Sequence, residues 1–352
     1  MKRKKLLILI ISIISIFMIK IDLAAADNVG FSVTPIFPAN QIDSTKGYFN
    51  LEMAAGEVQE IHLTLKNNKN QEITIISEIG PATTNDNGVV DYSESKIDDL
   101  DDTLKFNLAD LVQYPKEVVI KPNESIDYII NITMPNKAIT GLIAGGITFK
   151  EKNTNQTTNN SDTTNTNGIA LKNEVQYMDA ILIQQNSDPV TPEIKINNVK
   201  AGQNNARNVI LANLQNPTST YINNIESTVK VSKKGVDKVI YTQKTSSQQM
   251  APNSNFNYTL NLENNTAFTA GEYVWKQTIT SGDYKWHFSK TFTITAKEAN
   301  SLNAEDVTIE KNDHLYLYFL IGFCCILTFI IILLVVRNQK LRRTQKNSEG
   351  TS

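Results

Sequence analysis

The sequence predicts an all-β protein: two tandem immunoglobulin-like β-sandwiches followed by one C-terminal transmembrane helix. Three observations predict it. Short runs of alternating apolar and polar residues recur from about residue 28 to 297, separated by turn residues and without a long helical period. One phrase is written twice, as KPNESIDYIINITMP at 121–135 and APNSNFNYTLNLENN at 251–265. Leu315 to Val336 is a run of 22 residues without a charge.

The N-terminus opens on Lys2, Arg3, Lys4 and Lys5, followed by an apolar run from Leu6 to Ile19 that is too short to span a bilayer comfortably. Ala24 and Ala26 supply the small residues that a signal peptidase reads, so residues 1–26 are expected to be a secretory signal cleaved after Ala26. The first sandwich is expected over 27–188. Its strand candidates are FSVTP, YFNLEM, EIHLTLKN, EITIISEI, the first copy of the repeated phrase, GLIAGGITF and VQYMDAILI. In the third of these, Ile61, Leu63 and Leu65 alternate, which places one strand face in a core. TLKFNLADLVQY reads as a short helix, and NTNQTTNNSDTTNTNG (153–168) as a polar loop with nothing to bury.

NSDPVTPEI marks the joint, because Pro189 and Pro192 cannot donate to a continuing ladder. The second sandwich is expected over 189–297, from EIKINNVKA, NVILANLQN, ESTVKVSK, KVIYTQ, FNYTLNL, YVWKQTI and YKWHFSKTFTI. In the last strand Tyr284, Trp286, Phe288, Phe292 and Ile294 share a face, and Ser281-Gly282-Asp283 forms the hairpin turn before it. The repeated phrase ties the halves together: Pro122, Asn123, Tyr128, Asn131 and Gly141 recur 130 residues later as Pro252, Asn253, Tyr258, Asn261 and Gly271. The register and the shared alternation indicate the same segment of two similar domains. Residues 298–314 read as a polar stalk; the stretch from Thr295 to Asp313 would span at most ~65 Å if extended. The apolar helix, 315–336, follows. Tyr316 and Tyr318 stand at its outer end, and Arg337, Lys340, Arg342, Arg343 and Lys346 begin the tail, 337–352. That flank orients the tail to the cytoplasm and residues 27–314 to the outside.

The formal charge of −2 conceals +4 at residues 1–26 and +4 at 337–352, which leaves −10 for the rest and disfavours bulk binding to nucleic acid or other polyanions. Both cysteines, Cys324 and Cys325, lie in the apolar helix, so the exported part holds no thiol; with the heavy use of Asn, Lys and Ile this suits a Gram-positive surface. No catalytic or cofactor motif appears, and no metal-ligand spacing: His62 and His287 sit on outward strand positions and His314 stands apart. DYSESKIDDLDD (91–102) offers Asp98, Asp99, Asp101 and Asp102 to calcium but lacks the alternating ligands of a built loop, and reads as a solvated acidic segment. Four residues are candidates for ligand or partner contact. Trp275 and Trp286 are aromatic platforms on adjacent hairpin strands, with core packing as the competing role. Gly145 and Gly146 allow either a bulge or the close approach of a ligand.

Several long phrases carry a family resemblance. FSVTPIFPANQ, GYFNLEMAAGE, PATTNDNGVVDYS, YPKEVVIKPNES and GLIAGGITF resemble the peptidoglycan-binding domain of WxL-interacting proteins. PEIKINNVKAGQNNARNVILANLQNP, KKGVDKVIY, QQMAPNSNFNYTLNL and SGDYKWHFSKTFTIT resemble their host-binding domain. The resemblance covers roughly 28–296. It implies a Gram-positive cell-surface protein whose first domain contacts peptidoglycan and whose second binds host proteins, both beside WxL proteins. This chain has no Trp-x-Leu motif of its own, its tryptophans reading WKQ and WHF, and no LPxTG sorting signal, so it resembles the membrane-held partner. The leading expectation is a non-enzymatic adaptor at the cell membrane. The alternative is a two-sandwich chaperone for exported proteins that would offer a strand edge. An enzyme is the weakest of the three for want of acid–base or metal groups.

Overall fold

The computed structural model describes residues 30–93, 100–152, 175–263, 265–310 and 315–349. The signal segment with Ala26, the polar loop 153–168, Asp98, Asp99 and His314 lie outside the described residues.

The first sandwich opposes two sheets. One has the order β1 (Phe31–Ile36), β3 (Val58–Asn67), β9 (Ser125–Thr133), β7 (Val112–Gln113). The other has the order β2 (Phe49–Glu52), β11 (Gln176–Gln184), β10 (Leu142–Glu151), β4 (Ile73–Pro81), β8 (Glu117–Ile120). Alternation sets the burial as expected: Ile61, Leu63 and Leu65 are buried while His62 and Thr64 between them face outward. The core joins these residues to Tyr128, Phe149, Ile181 and Ile183 from the other strands.

The second sandwich opposes a three-stranded sheet, β12 (Lys195–Asn204), β13 (Arg207–Asn216), β16 (Ser254–Asn261), to a four-stranded one. The latter runs β15 (Val239–Met250), β14 (Ile222–Lys233), β17 (Gly271–Ser281), β18 (Tyr284–Ile294). Its strand order repeats the first sandwich strand for strand. β12-β13-β16 stand as β1-β3-β9 do, and β15-β14-β17-β18 as β8-β4-β10-β11.

The repetition extends to single hydrogen bonds. In the first copy, the amide of fully buried Asn67 donates to the carbonyls of Gln71, Ile120 and Lys121. In the second, that of fully buried Asn216 donates to those of Thr220 and Ala251. The Pro-Asn turn closes the same way: Asn123 N–H donates to Lys69 O (3.2 Å) and Asn253 N–H to Thr218 O (3.0 Å). Both asparagines take left-handed backbone, φ 60° and 50°, which Asn tolerates better than most residues. The phrase recurs because each sandwich uses one amide to knot two turns together.

Among the described residues, only the first sandwich carries a small hairpin, β5 (Thr83–Thr84) with β6 (Val90–Asp91), the short edge strand β7, the parallel strand β2, and helix α1 (Leu108–Leu111). That helix is shorter than TLKFNLADLVQY suggests. Asn107 caps its start, and Val112 turns extended (φ −124°) to pair with β9. Between the sandwiches residues 187–194 carry no ladder.

Both sandwiches lie mainly in one compact unit; a second unit gathers Ala201–Val209, Asn261–Gly271 and the chain from Ile294 onward. There, residues expected to begin a stalk form helix α2 (Ala296–Glu305). Thr295 Oγ1 accepts from Glu298 N–H and Glu298 reaches back to Thr295 N–H, a capping box. Asn303 exchanges hydrogen bonds with the backbone of Phe268, and Asp306 Oδ2 accepts from Asn208 N–H at 2.7 Å. Beyond the C-cap Asp306, Val307 N–H donates to Ala206 O at 3.0 Å. Last, α3 spans Leu315–Glu349, and Phe319–Arg337 within it is long and apolar enough to cross a membrane. The helix runs on into the basic tail because Arg, Gln and Lys favour helix and no Gly or Pro intervenes before Gly350.

Candidate binding cleft and the expected contact residues

The sandwiches meet through polar side chains rather than a large apolar seam. Thr84 Oγ1 lies 2.8 Å from Ser254 Oγ and accepts from Ala251 N–H at 2.9 Å, all of it buried. Tyr92 and Tyr221 share a hydroxyl contact at 2.9 Å. A small apolar cluster, Ala82, Ala144, Leu182 and Ala251, packs alongside.

Asp101 belongs to the acidic segment, and it serves as a clamp. Its carboxylate accepts from Gln215 Nε2 (2.9 Å), Asn255 Nδ2 (2.7 Å) and Thr103 N–H and Oγ1 (3.0 and 2.6 Å). Burial pushes this carboxyl up, but the hydrogen bonds from Thr103, Asn255 and Gln215 outweigh it and hold it below the usual range. Asp101→Ala is expected to cost about 1 kcal/mol after allowance for solvent exposure. A depressed carboxyl stabilises above its unfolded value, so the deficit should be full at pH 7 and shrink as pH falls below about 4. Thermal melts of both proteins across pH 3–7 check this.

A cleft of about 390 Å³ opens beside the clamp. Asn85, Asp86, Asp91 and Asp101 line it from the first sandwich and Asn253 and Asn255 from the second, over a floor that includes Ala82 and Leu104, with exposed Leu100 at the rim. Carboxylates and amides accept or donate in pairs, which suits the adjacent hydroxyls of a neutral sugar. Among the described residues no group of three or more His, Cys, Asp or Glu is placed to hold a metal.

The four expected contact residues fall elsewhere. Gly145 and Gly146 sit in β10 with unbroken register to β4 and β11, so neither marks a bulge. Their open sides face the chain itself. A Cβ on Gly145 would lie 2.6 Å from Leu108 Cδ2, and one on Gly146 would lie 2.7 Å from Tyr92 Cβ. The close approach is made by α1 and the segment after β6, which correct the expectation of a ligand there. Trp275 is fully buried, edge-on to Tyr258 with ring centroids 6.0 Å apart, and its indole N–H donates to Gln277 Oε1 at 3.0 Å. It faces the core and offers no platform. Trp286 is half-buried and stacks on exposed Tyr284 with centroids 6.0 Å apart and planes at 18°. Of the four, only Trp286 keeps a surface that a partner could touch. The cleft itself was not read from the sequence; its signal is the repeated Pro-Asn turn, whose second copy supplies Asn253 and Asn255.

A family model described as WxL Interacting Protein, peptidoglycan binding domain, matches residues 31–151. A second, described as WxL Interacting Protein, host binding domain, matches 166–304. The second match includes β11, which pairs with β10 and β2 in the first sandwich. No curated protein matches the chain. Similar solved structures include the class 5 fimbriae chaperone CfaA, at 12% identity over 74% of this chain and 98% of that chain, TM-score 0.27. Another is a chain of the CsuC–CsuE chaperone–tip adhesion subunit pre-assembly complex from Acinetobacter baumannii, at 11% identity over 74% and 97%, TM-score 0.29.

Proposed function

Because this chain belongs to the WxL-interacting protein family, with its peptidoglycan-binding and host-binding domains in that order, we propose that it is a non-enzymatic adaptor of the cell surface. In this reading α3 crosses the cell membrane once, the sandwiches stand outside within the wall, and the basic tail lies in the cytoplasm. Peptidoglycan occupies the cleft beside Asp101. WxL proteins are the expected partners, and host proteins meet the second sandwich, with Tyr284 and Trp286 among its exposed aromatic groups.

The observation that carries the glycan assignment is the cleft's lining of amides and carboxylates with an apolar floor. Such a lining fits neutral sugar units and repels a polyphosphate. The ectodomain, residues 27–310, is expected to co-sediment with purified peptidoglycan before and after acid removes the phosphate-bearing wall polymers. On the acid-treated walls Leu100→Trp, which fills the cleft from its rim, should lower the bound fraction about tenfold, roughly the loss of one good hot spot. Binding that disappears with the acid-labile polymers, or that ignores Leu100→Trp in a folded variant, would count against the cleft.

A further inference from the structure

Charge divides sharply between the sandwiches. Residues 27–188 carry 23 Asp and Glu against 11 Lys and Arg, a net −12, whereas residues 189–297 carry 6 against 12, a net +6. Much of the second sandwich's excess gathers on one face.

On β14, Thr228 and Lys230 point outward while Ser227, Val229 and Val231 face the core. On β17, Lys276 and Thr278 do the same between Trp275, Gln277 and Ile279. Register places these side chains in rows across the sheet. Lys230 stands opposite Lys276, and Thr228 opposite Thr278 on one side and Lys244 of β15 on the other. The next strand adds His287, whose Nδ1 lies 3.1 Å from Thr278 Oγ1. Two threonine hydroxyls therefore form a floor ringed by Lys230, Lys276, Lys244 and His287. Neighbouring strands are about 4.8 Å apart, so the ring is compact enough for one polyanionic segment. A shallow basin of about 410 Å³ occupies this spot.

Two like charges directly opposite on neighbouring strands destabilise a sheet. Among the described residues, Lys230, Lys244 and Lys276 have no carboxylate partner, whereas Lys234, at the sheet's end, pairs with Glu272 at 3.0 Å. Glu226, exposed on the same face of β14 two residues from Thr228, makes no ion pair with these three lysines, so the basin's edge holds one carboxylate against three ammonium groups. Ammonium groups around hydroxyl donors match tetrahedral oxyanions, which accept several hydrogen bonds at once.

We propose that the outer face of the second sandwich's four-stranded sheet, centred on Thr228 and Thr278, binds a phosphate-bearing polyanion. This rests on different residues from the glycan cleft and stands or falls separately. The observations favour a phosphodiester or polyphosphate chain over an acidic protein surface because the hydroxyl floor supplies donors to more than one oxygen of each group.

The test uses the full chain in neutral detergent, with the five basic residues after Val336 changed to Gln so that the tail does not compete. Fluorescent polyphosphate is the probe, titrated at low and moderate salt. Saturable binding that weakens with salt is expected. Lys230→Gln with Lys276→Gln should weaken it at least about tenfold and flatten the salt dependence, since each phosphate contact carries part of the slope. Lys233→Gln with Lys234→Gln, an equal loss of charge at the end of the same strand, should change it less than about twofold. No binding, or equal loss from both pairs, would overturn the site. Poly-glutamate binding as tightly, or salt-sensitive self-association blocked by the probe, would overturn the phosphate assignment in favour of an acidic protein partner. Leu100→Trp should leave polyphosphate binding unchanged.

Discussion

Trp275→Ala is expected to destabilise the ectodomain by about 3–5 kcal/mol, and Trp286→Ala by less than about 1. Both tryptophans lie in one hairpin, so the contrast measures position. Trp275 is fully buried against Tyr258. Its removal leaves a cavity and also unpairs Gln277 Oε1, part of a buried relay in which Gln277 Nε2 donates to Ser227 Oγ at 2.9 Å. An unpaired buried amide adds to the cavity cost. Trp286 leans on exposed Tyr284, and much of what it loses on truncation is replaced by water. Urea denaturation followed by circular dichroism gives both values. Equal costs would mean that the indole of Trp275 is not the keystone of the second core.

The natural protein is expected to lose stability between about pH 4 and 7, and Asp179→Asn to remove that dependence. Asp179 shares its strand face with Ile181 and Ile183, both fully buried, and pairs across β10 with buried Ile147. Burial pushes its carboxyl up to about 7, against the ordinary 3.8, and the Ala180 N–H only partly offsets this. A carboxyl raised on folding contributes stability that is full below its unfolded value and is lost as pH rises towards the folded one. Three units correspond to at most about 4 kcal/mol. The natural ectodomain should therefore lose stability from pH 4 to 8. Asp179→Asn should lose little over that range, which makes the difference between the curves the cleanest readout. Asp101 titrates with the opposite sign and at lower pH, so the two effects separate. Parallel curves for parent and variant would show that Asp179 reaches water.

Strand positions were legible in the sequence because alternation is local: Ile61, Leu63 and Leu65 report their own face without knowledge of a partner. The duplication was legible for a similar reason, since the Pro-Asn turn and its tyrosine recur in register. What a strand's inward face packs against was not. Gly145 and Trp275 stand 130 residues apart, as the repeated residues do, and each fills the same place in its sandwich by a different route. The second copy uses an indole; the first leaves a gap that Leu108 of α1 enters. Read alone, a Gly-Gly pair and a tryptophan both look like surfaces for a ligand. The cleft was hidden too, because it needs Asp101 and Asn255, 154 positions apart, to be joined. The capped α2 was obscured by polar sequence whose hydrogen bonds go to distant segments, Asn303 to Phe268 and Asp306 to Asn208, whereas α1 lies inside the helix read from TLKFNLADLVQY and is only shorter.

The docking of α2 has a consequence for how such a protein would search its surroundings. Glu310 N–H still reaches Asn265 Oδ1, at 3.5 Å, so folded structure extends to within five residue steps of Leu315. Those steps span at most about 18 Å, against ~65 Å for a fully extended stalk. With α3 in a bilayer, this is a short mooring. In the proposed placement outside a membrane, the protein could not swing far from the bilayer to find a partner. It would find one by drifting in the plane of the membrane, and its encounters would depend on how many copies share a given area of membrane.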